Sequence, residues 1–214
     1  MVVAKQVEIT APNLQVAEFL IRGNAPYVQC KFSQKVQEEM KAKQQEGSTA
    51  KKGKKREPKD FDALYKSAMH RAKDGGWNGI PATAFRNALI SACRVCGFAM
   101  TRAKLSVFCL PDGFDESDRT PMVRITKGEP HKHEQHVINA SGVADIRAQA
   151  MWDEGWEAVV RIEFDADQFT ISDVANLLMR SGIQVGVGCG RPDSSNSAGL
   201  GFGTFKIVKS HECV

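Results

Sequence analysis

Gly186-Val187-Gly188-Cys189-Gly190-Arg191, followed seven residues later by Gly199-Leu200-Gly201-Phe202-Gly203-Thr204-Phe205, places six glycines in eighteen residues. Apolar residues flank the stretch at 183–187 and 202–208, and both flanks read as strands. A glycine-rich turn between strands lets a backbone come close to another group, because no Cβ stands in the way. Exposed N–H groups in such a loop bind anions, phosphate foremost. The same composition also suits a long flexible hairpin whose glycines only relieve strain. Both readings stand at this point.

Working back from the loop, 158–164 (AVVRIEF) reads as a strand, and Thr170-Ile171-Ser172-Asp173 caps a helix over 171–180 that Ser181-Gly182 ends. The order in the last third is therefore strand, helix, strand, glycine loop, strand. The first half has a matching pattern. A strand over 16–22 stops at Gly23-Asn24-Ala25-Pro26. Thr83 caps a helix over 84–96, where Phe85, Ala88, Leu89, Ala92 and Cys96 fall at helical spacing. Strands follow at 104–110 and 122–126, and 131–138 is a strand or an irregular β-arm. Two such halves predict an α+β fold, a ferredoxin-like (RRM-like) split β-α-β sheet with helices on one face.

A different composition interrupts this pattern. Residues 31–60 hold ten Lys/Arg and five Asp/Glu, and Lys51, Lys52, Lys54, Lys55 and Arg56 give five positive charges in six positions. Residues 34–46 are polar and helix-prone, and 60–73 predicts a helix with Phe61, Leu64, Tyr65, Ala68 and Met69 on one side. The expected organisation is a core of 1–30 plus 77–214, with 31–76 as a basic, thumb-like insertion. The whole chain has 214 residues and a net charge of +4, a mild basic excess that hints at an acidic partner. Six cysteines show no disulfide-like framework, and no signal peptide or apolar run of about 18 residues occurs. The expectation is a cytoplasmic protein with no membrane partner.

Two segments together resemble a known family. Gly79-Ile80-Pro81-Ala82-Thr83-Ala84-Phe85-Arg86-Asn87-Ala88-Leu89 is similar to the start of the first helix in the RAMP superfamily, whose members form backbone subunits and processing nucleases of CRISPR RNA complexes. The stretch 186–205 resembles their C-terminal glycine-rich loop, and the chain also resembles a phage- or prophage-type group. The resemblance covers 77–98 and 156–208. The chain departs from the family pattern where Ala82-Thr83-Ala84 replaces a small hydroxyl pair, at Asn87, and where Thr204 stands for a final Arg. The resemblance implies single-stranded RNA binding by subunits that stack into a homo-oligomer or filament along the strand, with other CRISPR-type subunits as further partners.

The residues support this on their own terms. The basic run 51–56 can neutralise several phosphates, although a solvated loop has the same composition. Gly79 and Thr83 mark a helix start with free amides. Arg86 lies one turn into that helix and Arg94 about two turns further, an arrangement that suits a phosphate. Arg191 brings a planar fork to a loop whose Gly188, Gly190 and Gly201 allow close approach. Tyr27 and Lys31 sit at the edge of the insertion, Tyr27 together with Phe32 as a stacking candidate. Phe85, Phe164, Phe202 and Phe205 read as core.

Chemistry beyond binding has little support. His131-x-His133-x-x-His136 is the one histidine cluster, and His131 and His133 share a side of a strand, but no second ligand pattern completes a metal site. Cys93-Arg94-Val95-Cys96 falls inside a helix and reads as structural, and the acidic turns at 112–118 and 165–167 read as solvated. No P-loop, G-x-S-x-G or H-E-x-x-H occurs. The expectation is a non-catalytic protein that binds single-stranded nucleic acid, RNA preferred, with no cofactor and no metal. Three alternatives stay open: a phage single-strand DNA-binding or annealing protein, an anti-defence mimic of a CRISPR backbone subunit, and a metal-independent RAMP endoribonuclease. The last requires a histidine or lysine beside the glycine loop.

Overall fold

The computed structural model describes residues 10–31, 59–138, 142, 144–194 and 199–213, of which 138 and 210–213 by backbone alone. These residues form an α+β structure with two antiparallel sheets. In the larger sheet, β1 (Leu14–Gly23) lies between β9 (Glu157–Asp165) and β10 (Phe205–Cys213), antiparallel to both. The other edge of β9 is shared by β4 (Val107–Leu110) and β6 (Pro121–Lys127). The short strands β3 (Gly79–Pro81) and β5 (Gly113–Phe114) pair with β6.

Period-two alternation gives this sheet one apolar face. Ala17, Phe19 and Ile21 on β1, and Ala158, Val160, Ile162 and Phe164 on β9, are all buried. Helices α2 (Ala82–Cys96) and α4 (Ile171–Arg180) complete the core with Phe85, Ala88, Leu89, Ala92, Val174, Leu177 and Leu178. Complete burial of a phenylalanine such as Phe19, Phe85, Phe164 or Phe205 contributes roughly 1.5–3 kcal/mol. Helix α4 starts where the sequence predicts. Thr170 accepts from the Asp173 amide while Asp173 accepts from the Thr170 amide, closing a capping box.

The smaller sheet has the order β2 (Tyr27–Gln29), β8 (Ala144–Trp152), β7 (Pro130–Ile138). An aromatic chain joins it to the core. Tyr27 contacts Trp152 and Trp156 at ring centroid distances of 5.4 and 5.6 Å, and Trp156 and Phe85 both pack on Phe205. Helix α1 (Phe61–Ser67), capped by Asp60, lies against this sheet, with the Tyr65 hydroxyl donating to Pro130 O at 2.9 Å.

Several expected elements take another form. The helix expected over 60–73 is only α1, because Ala68 turns the chain and the Gln29 side chain then accepts from the His70 amide at 2.8 Å. Thr83 is not a cap: α2 begins at Ala82 after Pro81, and Thr83 is an exposed first-turn residue. The strand expected over 104–110 is split into helix α3 (Met100–Ser106) and β4. No strand occupies 183–187. Helix α4 instead widens into a π-helical turn, Ser181–Val185, where the backbone of β10 crosses Gly182 so closely that a Cβ there would lie 2.3 Å from Phe205 O. The last strand begins at Phe205, and β8 was not anticipated. The turn at 112–118 is not solvated throughout, because Asp115 is buried. Among the described residues, no helix is long and apolar enough to cross a membrane.

Candidate nucleic-acid interface

The glycine loop is folded onto β2 rather than standing free. Val187 N donates to Gly203 O, Gly203 N to Pro26 O, and Cys189 N to Val28 O, at 3.0, 2.7 and 2.8 Å. Leu200 N and Phe202 N both donate to Gly190 O, which folds the two glycine clusters over one another. All six glycines have positive φ. Three of them admit no side chain on steric grounds alone, Gly199 because a Cβ there would sit 2.1 Å from Arg191 O. A Cβ on Gly203 would sit 1.7 Å from Val187 O, and one on Gly188 would sit 2.5 Å from Val28 O and 2.6 Å from the Tyr27 ring. Gly201 differs, since nothing lies within 4 Å of its Cβ position. The outer rim of the loop is therefore Gly201 with the exposed Leu200 beside it, and its inner side is sealed against β2.

Arg191 folds across this loop. Its Nη1 donates to Gly188 O at 3.2 Å, and the side chain stays partly exposed. One of five guanidinium N–H donors is thus used on the loop itself. Two residues on, Asp193 accepts from Arg94 of α2 at 2.6 Å, which ties this part of the loop to the helix. That ion pair holds the Asp193 carboxyl below its usual range. His133 of β7 meets Phe202 edge-on at 6.2 Å, so the hairpin β7–β8 forms the wall next to the loop. His131 is on the same side of β7 but 3.8 Å from Asp153, and His136 is on the opposite side, lining a cavity of about 420 Å³ with Lys59, Phe61 and Ile146. The three histidines do not converge.

The remaining expected contacts scatter. Tyr27 is 1% exposed among Trp152 and Trp156, with burial pushing its hydroxyl pKa far up, so it cannot stack a base in this conformation. Lys31 is engaged by Asp115, Ser117 and Asp118. Arg86 is also committed: Nε donates to Val107 O at 3.1 Å, Nη2 to Lys104 O at 2.6 Å, and the guanidinium lies 4.8 Å from the Phe108 ring centre. It braces α3 and β4 against α2, away from the glycine loop. Lys51, Lys52, Lys54, Lys55, Arg56 and Phe32 lie outside the described residues. Of the expected site, the structure assembles Arg191, Gly188, Gly190 and Gly201.

Two clusters had no sequence signal. Asp115 accepts from Lys31, from the amides of Arg71, Ser117 and Asp118, from the Ser117 hydroxyl, and pairs with His70 Nδ1 at 3.0 Å. His70, Asp115 and Asp118 have the proximity of a metal-ligand set, but the Lys31 ammonium already supplies the positive charge at this cluster. The second cluster is Cys30 and Cys189. The Cys189 thiol donates to Cys30 and lowers its pKa, which outweighs burial, and the Gln149 amide and Arg147 charge act in the same direction. Cys189 is correspondingly pushed up by its neighbour Cys30 and by burial. No protein-family model matches the chain, and no curated protein matches it.

Proposed function

We propose that the chain binds single-stranded nucleic acid, RNA in preference to DNA, and assembles along the strand as a non-catalytic subunit. The observation that carries this is the glycine loop itself. Its two glycine clusters are docked on β2, with open space at the Cβ position of Gly201 and the Arg191 guanidinium bonded to Gly188 O. Such a surface admits a phosphodiester backbone close to main-chain amides and offers a guanidinium for the charge. The contacts read phosphate and sugar, so sequence choice falls to a guide or is absent.

The strand arrangement supports the same reading. The core elements β1, α2, β4, β9, α4 and β10 follow in chain order, and their sheet order is β10-β1-β9-β4. We read this as a ferredoxin-like split β-α-β core, with the smaller sheet as an addition beside the loop.

Purification at low salt without nuclease, followed by extraction of bound nucleic acid and negative-stain imaging, tests the proposal. Elongated or ring-shaped particles with protected RNA are the expected result. Protected DNA moves the assignment to a DNA-binding or annealing protein. A monomer or dimer free of nucleic acid, which also fails to bind a labelled 30-nucleotide RNA, refutes it and favours a mimic that engages a protein complex.

A second function is favoured by one contact, His133 against Phe202. A histidine beside the loop can act as general base or acid in metal-independent RNA cleavage. Incubating the protein with labelled RNA in EDTA separates the two. Intact RNA leaves the binding function, whereas cleavage that disappears in His133→Ala establishes the nuclease.

A further inference from the structure

Cys30 and Cys189, 159 positions apart in the chain, are brought to the same seam between the glycine loop and β2, where Cys189 N donates to Val28 O two residues before Cys30. Cys30 directly follows β2, and Cys189 is held beside that strand by its amide bond to Val28 O. The close approach is possible because the preceding residue is Gly188, which passes over Tyr27 and Val28 where no Cβ fits. Cys30 is exposed and Cys189 partly so. The neighbours of the pair are the Gln149 amide, the Arg147 guanidinium and Arg191, all donors or cations that favour a thiolate. The other described cysteines lack this setting. Cys93 is buried with its thiol bonded to Leu89 O, Cys109 is raised to about 12 by burial and the Asp112 charge, and Cys96 is exposed at the end of α2, far along the chain from the loop and β2.

We propose that Cys30 and Cys189 form a peroxide-responsive pair, in which Cys30 is oxidised and Cys189 resolves it to a disulfide that staples the glycine loop to β2. A hydroperoxide is the oxidant. The Cys30 thiolate attacks the peroxide oxygen, the O–O bond breaks, and Cys30 becomes a sulfenic acid while hydroxide leaves and takes up a proton. The Cys189 sulfur then attacks the Cys30 sulfur, the S–O bond breaks, and water leaves with the Cys189 proton. Two thiols and one hydrogen peroxide give one disulfide and two waters. In a reducing compartment a thiol of this kind stays reduced until an oxidant arrives, and the disulfide is reversible by dithiols. The cross-link fixes the loop that carries Arg191, so the redox state sets the rigidity of the proposed interface. The chemistry of the pair does not depend on that function.

The test uses the full-length protein, fully reduced and then titrated with hydrogen peroxide at pH 7. Alkylation and non-reducing peptide mass spectrometry follow. The expected result is a Cys30–Cys189 cross-linked peptide as the main product, reversed by dithiothreitol, with Cys96 reacting roughly tenfold more slowly than Cys30. In Cys189→Ser, Cys30 accumulates as a sulfenic acid trapped by dimedone, and Cys30→Ser forms no cross-link. The wild-type measurement alone decides the outcome, so an unstable variant does not block it. Absence of the cross-linked peptide when both cysteine peptides are detected overturns the proposal, as does oxidation of Cys96 as fast as Cys30.

Discussion

Lys31 and Asp115 form a buried ion pair, with Nζ 2.5 Å from Oδ1 and side chains 9% and 0% exposed. Lys31 is the first residue of the basic stretch 31–60, and Asp115 follows β5 in the core sheet. The pair thus clamps the root of the basic segment to the core, and the His70 ring and Arg71 amide on the same carboxylate clamp the returning chain. Asp115→Ala leaves a buried ammonium and several donors without an acceptor. The expected loss is about 3–5 kcal/mol of unfolding free energy, measured by urea denaturation at pH 7.

The same cluster predicts acid lability. Burial alone would raise the Asp115 carboxyl, but bonds from Lys31, Ser117 and His70 overcome it and hold it well below the usual carboxylate range. Its stabilisation is present above the unfolded aspartate value near 3.8 and is lost as pH falls from there toward the lower folded value. Burial also lowers His70, against the opposing bond to Asp115. The unfolded histidine takes up its proton first, so stability starts to fall as pH drops below about 6.5. Melting temperature against pH is expected to decline in two stages. His70→Gln removes the upper stage, and Asp115→Asn weakens the lower one. A wild-type curve that is flat from pH 7 to 5 contradicts the assignment of His70.

Two glycines in one loop are expected to respond differently to alanine. Gly203→Ala places a methyl 1.7 Å from Val187 O at φ +67°, so the backbone contact between the two glycine clusters must open. A cost of about 3 kcal/mol or more follows, with loss of the docked loop. Gly201→Ala adds a methyl to open space at φ +77° and carries only the left-handed penalty, about 1–2 kcal/mol. Denaturation midpoints of the two variants, compared at equal m-value, check the ranking. Equal losses would mean that the loop is not docked in solution.

Legibility in the sequence followed how local each signal was. The α4 cap was readable because Thr170 and Asp173 act within one turn, and β1 and β9 were readable because one face of each is buried. Strand β8 lacks that alternation, since residues 148–152 are all buried between β2, β7 and the core. In 104–110, Leu105 is 79% exposed while Ser106 is buried, the reverse of what an apolar run suggests, because α3 turns before β4 begins. The glycine loop was visible as composition, but its partner β2 was not. The pairs Lys31–Asp115 and Cys30–Cys189 join residues brought together only by the tertiary fold, and no spacing rule reports them.

Arg86 and Arg191 looked equivalent as phosphate contacts, and their surroundings separate them. Arg86 has its Nε and Nη2 donors on main-chain carbonyls and its face on Phe108. Arg86→Ala is expected to cost about 1–3 kcal/mol of stability and to leave RNA affinity of the folded protein unchanged. Arg191 makes one long bond to Gly188 O and is otherwise partly exposed on the glycine loop. Arg191→Ala is expected to leave the melting temperature within about 2 °C while weakening binding of a 30-nucleotide RNA roughly tenfold. Each phosphate contact removed also lowers the salt slope, so log K against log salt becomes shallower by about 0.7 per binding site for a single strand. Fluorescence anisotropy from 50 to 300 mM salt measures both quantities. Loss of affinity in Arg86→Ala with none in Arg191→Ala would place the strand at the start of α2 and not on the glycine loop.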